Sequence, residues 1–254
     1  MAKWLASLAL AGLLACAAQA SPPPTEIIVS NSEGNRLVEF IGQVLSDAYA
    51  QVGAQPVMKT YPAARSIEMA NEGVTDAEAW RGPGLERDYP GLIRVPEPIL
   101  SLEYRAYTLG KPFEGEGWEA LRGKRVCVNL GEKVIEDRTR DMPRELAHGI
   151  EATLKMLKAG RCDLVLANQF AWLIMDRYDL GTFCAGPALI ETIPLYHYVN
   201  RRHAALVTGL AAALRSLRDS GRLERYLAAD PDEVLLAQAR TRHDCTELKG
   251  AAPR

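Results

Sequence analysis

The stretch Leu157-Lys-Ala-Gly-Arg-Cys-Asp-Leu-Val-Leu-Ala-Asn168 decides the fold. Ahead of it, Ile150 to Ala159 places Ala152, Leu154, Met156 and Leu157 on one helical face, and Gly160 ends that helix. Asp163 to Ala167 follows as a short, unbroken apolar run, the pattern of a strand buried on both faces. Lys124 to Asn129 is a second such strand, with Val126-Cys-Val128 at its centre and Gly131 just beyond. Buried strands separated by helices predict a parallel, doubly wound α/β sheet.

The same alternation extends in both directions. Toward the N-terminus, Ile27–Val29 reads as a strand. Apolar residues at 37, 41, 44, 45, 48 and 52 then mark a helix over 35–52 that Gly53 closes. Pro56 to Tyr61 is a strand, and Pro62 opens a helix through Arg65, Ile67 and Ala70 to Gly73. Thr75 to Trp80, Leu92 to Val95 and Leu102 to Leu109 are three further strands, and Trp118 to Arg122 a short helix. Toward the C-terminus, Phe170 to Tyr178 is helical and Ile193 to Val199 is a strand. Helices over 203–219, 222–228 and 230–239 complete the order, and residues 241–254 read as a frayed tail.

Composition narrows the function classes. The chain has 254 residues, 48% of them apolar, with 30 basic and 32 acidic side chains and a net charge of −2. Such a chain can bury a core and is not intrinsically disordered. It lacks the basic balance expected of a nucleic-acid binder. Five cysteines are too few for a disulfide-built scaffold.

Residues 1–20 read as a secretory signal peptide. Lys3 supplies the positive start, Trp4 to Leu14 the apolar segment, and Ala18-Gln-Ala20 the cleavage site. Leu13-Leu-Ala-Cys16 competes with it as a lipidation site, giving a lipid anchor at Cys16 as the alternative. Export predicts a periplasmic protein. In that oxidising compartment Cys127, Cys162, Cys184 and Cys245 allow two disulfides in three connectivities, and a buried free thiol at Cys127 is an equal alternative. Their spacing, with no C-x-x-C and no nearby histidines, argues against a zinc site.

Five segments, in order, resemble the bacterial extracellular solute-binding proteins of family 3. Glu72-Gly-Val-Thr-Asp76 resembles the family's glycine-x-x-aspartate entry to a strand. Leu92-Ile-Arg-Val-Pro-Glu-Pro-Ile-Leu100 resembles its crossing between lobes. Glu119-Ala-Leu-Arg-Gly-Lys-Arg-Val-Cys-Val128 is similar to its D-L-x-G-K-x-V-G-V, and Leu157 to Val165 to its L-x-x-G-x-x-D-A-V. Leu214 to Leu227 loosely resembles its last helix pair, with Ser220 inserted before Gly221. The resemblance implies two lobes of the type II periplasmic binding protein kind. Lobe 1 would be 25–100 plus 200–240 and lobe 2 would be 101–199. Crossings are expected near Leu100–Tyr104 and Tyr196–Asn200. Ligand would sit between the lobes at the strands' carboxyl ends, and a hinge would close over it.

In that family an arginine of lobe 1 grips a ligand carboxylate and a lobe-2 aspartate takes the ammonium. Asn168 stands at the aspartate position, and Gly131-Glu-Lys133 replaces the usual glycine-threonine turn, which argues against a standard α-amino acid. Arg81, just past the strand ending at Trp80, is the first choice for a carboxylate. Family spacing favours Arg87 instead. The alternative for each is a surface charge or a pair with Glu78 or Glu86. As a cleft residue, Arg81 is expected to be solvated in the unliganded protein. Arg65, Trp80, Tyr61, Glu33, Asn129, Lys133 and Asn168 complete the candidate ligand set. Against these stand an exposed ion pair for Arg65, core packing for Trp80 and Tyr61, and a helix-dipole role for Glu33. His197 and His203 read as structural.

The sequence carries no P-loop, G-x-S-x-G or H-E-x-x-H, so no cofactor or metal is expected. The leading expectation is a monomeric, non-enzymatic receptor that hands a small, polar, carboxylate-bearing solute to an inner-membrane ABC permease. Alternatives are a ligand-sensing receptor and an enzyme resembling cyclohexadienyl dehydratases, with Glu132 or Glu136 as general acid.

Overall fold

The computed structural model describes residues 25–33, 36–178 and 183–242. The signal-peptide segment, Cys16, Cys245 and the tail beyond 242 lie outside them.

In the first half, β1 (Thr25–Ser32) buries Ile27 and Val29 against α1 (Val38–Ala50). α1 presents Phe40, Ile41, Val44, Leu45, Ala48 and Tyr49 to the core, one stripe of a 3.6-residue period. Its first turn has no side-chain cap of its own. Asp230 and Asp232, from the far end of the chain, accept from the Phe40 and Leu37 backbone N–H groups (2.8 and 3.2 Å). β2 (Ala54–Tyr61), α2 (Ala63–Asn71) and β3 (Ala77–Arg81) follow. β1 pairs in parallel with both β2 and β3.

β4 (Leu92–Leu109) is one 18-residue strand where two were expected. Its pairing with the late strand β9 (Glu191–Asn200) runs from Leu92↔Asn200 to Tyr104↔Glu191. The register slips on either side of Pro98, a residue without an amide hydrogen for the ladder. The irregularity therefore lies ahead of the expected Leu100–Tyr104 crossing. Buried Glu97 ties this point to the helix over residues 207–219 through Arg215 (3.2 Å) and Arg218.

The second half contains β5 (Val126–Asn129), α3 (Lys133–Arg138), β6 (Arg144–Ala147), α4 (Ile150–Lys158), β7 (Leu164–Asn168), α5 (Ala171–Tyr178) and β8 (Phe183–Ala185). β5 pairs in parallel with β6 and β7. Val126, Val128, Leu164 and Leu166 face one apolar cluster, while Cys127, Val165 and Ala167 face another. Burial on both faces is why these strands read as unbroken apolar runs. Cys127 and Cys162 form a disulfide, Cα–Cα 5.7 Å, which decides between the open alternatives for this pair.

The chain then returns to the first half. After β9, a 3₁₀ segment leads to α6 (Val207–Asp219), α7 (Arg222–Ala229) and α8 (Pro231–Arg242), so helix extends past the expected start of the tail. The strands form one sheet in the order β2-β1-β3-β9-β4-β7-β5-β6, with β8 on β4. It is mixed, not wholly parallel. β4 and β9 run antiparallel to each other and to their neighbours β7 and β3, and they carry the chain between the halves. Among the described residues, no helix is long and apolar enough to cross a membrane.

Candidate functional site

Two parallel pairs of strands, running in opposite directions, deliver their carboxyl ends to one cleft of about 1080 Å³. From the first half β1 brings Ser32, with Glu33 just after it, and β3 brings Trp80 and Arg81. From the second half β5 brings Asn129 and β7 brings Asn168. Loops at this end of an α/β sheet leave a crevice because the helices start and stop there. Leu102, Tyr104, Ile193 and Leu195 on the two crossing strands also line it.

Arg81 is held, not solvated. Its side chain is only 15% exposed, and its guanidinium lies on the fully buried Glu78. Arg81 Nε donates to Glu78 Oε1 (2.7 Å), and Nη2 reaches Ser32 Oγ and the Ala63 carbonyl (3.3 Å). Ser30 and Ser66 donate to Glu78 Oε2 (2.7 and 2.6 Å). This corrects the expectation of a free arginine, because removing Arg81 strands a buried carboxylate. The pair with Glu78 does form, and Arg81 still lines the cleft. Trp80 does two things at once, joining the main apolar core while bordering the cleft.

The candidates separate clearly. Glu33, Trp80, Arg81, Arg87, Asn129, Lys133 and Asn168 border one cleft. Arg65 and Tyr61 are not among the residues that line it. Arg65 is exposed on α2 and paired with Glu68 at 3.5 Å. Tyr61 ends the edge strand β2, one position outward from Ser32, which occupies the inner place. Arg87 is largely exposed, 4.0 Å from Asp137 of the other half.

In the second half, Asn129 Oδ1 accepts from the Gly149 amide (2.8 Å) and its Nδ2 donates to Glu132 Oε1 (3.1 Å). Asn168 Oδ1 accepts from the Phe170 amide (3.0 Å). Glu136 accepts from the Gly131 amide and stands 3.6 Å from Lys133, fixing the turn that carries Glu132. Burial raises the Glu132 carboxyl above its ordinary pKa, and nearby Glu136 adds to this. Asn129 and Tyr104 oppose it. Burial raises the Tyr104 hydroxyl too, helped by the charge of Glu132.

Ser32, Tyr104 and Glu132 were not among the ligand candidates. Ser32 immediately precedes Glu33 at the same strand end. Tyr104 sits between Leu102 and Ala106 on one face of an alternating strand. Both signals were in the sequence. Nothing local marked the inward turn of Glu132.

His197 and His203 lie apart from the cleft lining. His197 is fully buried, bonded to Tyr49 Oη (2.8 Å) and the Ala79 carbonyl (3.0 Å), and burial lowers its pKa to about 4. His203 stands 2.5 Å from Asp76, which also holds Arg202 and the Ile28 amide. Burial works to raise the Asp76 pKa, but these partners hold it below its ordinary value. Among the described residues, no group of His, Cys, Asp or Glu has the arrangement of a metal site.

No family model matches the chain. An uncharacterized protein of Shewanella oneidensis is 23% identical over 191 residues, 72% of each chain. A probable amino-acid ABC transporter extracellular-binding protein of Bacillus subtilis superposes with a TM-score of 0.63 at 18% identity, covering 80% of this chain and 96% of that one. A histidine kinase sensor domain with similarity to periplasmic binding proteins gives 0.65 at 15% identity, covering 82% and 97%. At these identities the likeness establishes the fold, which is the two-lobed type II periplasmic binding protein fold expected from the sequence.

Proposed function

We propose that this chain is a periplasmic solute-binding protein that captures a small polar, carboxylate-bearing solute between its two lobes and delivers it to an inner-membrane ABC permease. The observation that carries this reading is the cleft itself. It lies where strand ends from both halves converge, and polar groups from each half border it. On this reading, lobe 1 comprises 25–100 plus 200–240, lobe 2 comprises 101–199, and they hinge at β4 and β9.

In the binding step, Arg81 presents the remaining face of a guanidinium already oriented by Glu78, so little side-chain entropy is lost when a carboxylate docks. Ser32, Asn129 and Asn168 supply neutral polar contacts, and Trp80 and Phe170 supply apolar wall. Export is supported by the apolar run Trp4 to Leu14 and the Ala18-Gln-Ala20 site. The histidine kinase sensor domain of the same fold supports a second reading, a receptor that reports occupancy to a membrane partner instead of unloading its solute.

The test is a thermal-shift screen of refolded, ligand-stripped protein against small acids, amino acids, amines and peptides. A solute bound only by the native state raises the melting temperature by mass action. Saturable stabilisation by one narrow chemical class, without turnover, is the expected result. Steady turnover of prephenate or arogenate would replace this reading with the enzymatic one. Co-purification with a permease and not a signalling protein would separate delivery from sensing.

A further inference from the structure

Cys184 is itself disulfide-bonded, and its partner is neither Cys127 nor Cys162, which hold each other. The chain has five cysteines, so Cys16 and Cys245 remain. Cys16 belongs to the segment read as a cleaved signal peptide, or carries a lipid on its sulfur in the alternative reading. Cys184 is fully buried on β8, which gives a second copy of the chain no access to it. Cys245 stands three residues beyond the end of α8 at Arg242, a reach of at most about 11 Å.

α8 itself runs from one half to the other. At its start, Asp230 accepts from the Phe40 amide (2.8 Å), and Asp232 accepts from the Leu37 amide (3.2 Å) and pairs with Arg36 (3.4 Å). These contacts anchor it to the head of α1 in the first half. Farther along, Leu236 enters the main core, and the helix packs against α5 of the second half. β8 follows α5 in the chain, and its Cys184 is in register with Thr108 of β4.

We propose that Cys184 and Cys245 form a second disulfide, and that it makes α8 a covalent strap between the halves that limits how far the unliganded cleft opens. The strap is a third link beside β4 and β9. The bond forms by exchange: the two thiols give up two protons and two electrons, and an oxidising disulfide donor is reduced to a dithiol. A reducing dithiol reverses the step, so the strap is sensitive to the redox state of the compartment. The pairing stands independently of the solute reading, whereas the limit on opening rests on the hinge proposed with it.

Tryptic mapping of the purified mature chain without reductant tests the pairing. Peptide 178–201 should appear joined to peptide 243–249, in a protein that runs as a monomer. Free thiols at both positions, or a bond from Cys184 to another peptide or a second chain, overturn the proposal. Small-angle scattering and amide exchange on the unliganded protein test the strap, comparing wild type with Cys245→Ala and with Cys184→Ala/Cys245→Ala. Cys245→Ala leaves the buried Cys184 side chain in place, so its fold does not depend on refilling that site. The radius of gyration should rise by about 1 Å from the roughly 17 Å expected of a compact chain this long. The Leu37 and Phe40 amides should exchange faster than in wild type. A lower melting temperature with unchanged radius and unchanged exchange at these amides overturns the strap. No solute enters this test, so failure to find one overturns the receptor reading and leaves the disulfide to be judged on its own.

Discussion

Gly82 and Val134 meet across the cleft: a Cβ on Gly82 would stand 2.7 Å from Val134 Cγ2. Gly82 directly follows β3 in the first half, and Val134 lies on α3 in the second. Gly82 has no positive φ, so it is the approach of the halves that excludes a side chain here. On the proposed hinge, this contact is the stop that limits closure.

Gly82→Ala should therefore hold the halves apart. Overpacking of this kind costs about 1–3 kcal/mol; it falls on the arrangement seen here, in which the halves touch, and on the proposed hinge an opened unliganded state escapes it. Affinity should drop about five- to a hundredfold, while the unliganded melting temperature stays near wild type. Val134→Ala in the same chain should restore most of the affinity. Titration of the three variants with the solute found by screening checks this.

Arg81 and Glu78 predict a stability effect opposite to that of a surface charge. Arg81→Ala leaves a fully buried carboxylate with only two hydroxyl donors. Removing one partner of a buried pair costs about 3–5 kcal/mol. Urea unfolding should show a loss of that size, and adding Glu78→Gln should recover most of it. Arg81→Ala alone would then be a poor probe of ligand contact. Arg81→Lys is better, since an ammonium keeps the charge without the forked geometry.

His197 makes stability depend on pH. Its folded pKa is about 4, against an ordinary value of 6.5, with burial as the main cause. Between those values the unfolded chain binds the proton more readily, so stability falls as pH drops from about 6.5 toward 4. The loss approaches about 3 kcal/mol. His197→Gln should flatten this part of the pH profile relative to wild type while lowering stability at pH 7. Equal slopes for the two proteins would assign the acid sensitivity to other groups.

The Cys127–Cys162 disulfide closes a loop with a sequence separation of 35. Losing a native bridge of this kind costs about 2–5 kcal/mol. The double variant Cys127→Ala/Cys162→Ala should lose stability in that range by urea titration under oxidising conditions. An unchanged midpoint would mean that the bridge is not what holds β5 to the start of β7.

Much of the fold was readable because it is written in local periodicity. α1 and α4 show clean apolar stripes, and β5 and β7 show unbroken apolar runs. What escaped was short or polar. β6 is the edge strand Arg-Glu-Leu-Ala, with little burial, and α3 has six residues. β8 has three residues and is held by pairing with β4. Leu92–Val95 and Leu102–Leu109, read as two strands, belong to one, whose register is interrupted on either side of Pro98 without ending the strand. The site was legible where a residue ends a strand: Arg81, Asn129 and Asn168 reach the cleft for that reason. It was illegible where long-range pairing decides. No spacing rule links Arg81 to Ser32, lets Asp230 cap α1, or turns Glu132 inward.

The central claim is capture of a solute by closure of the two halves. Small-angle scattering on refolded, stripped protein tests it most directly, measured with and without the probe that gives the largest thermal shift. The radius of gyration should fall on saturation for wild type and fall less for Gly82→Ala. A probe that saturates the protein in calorimetry yet leaves the wild-type scattering unchanged would contradict capture by closure.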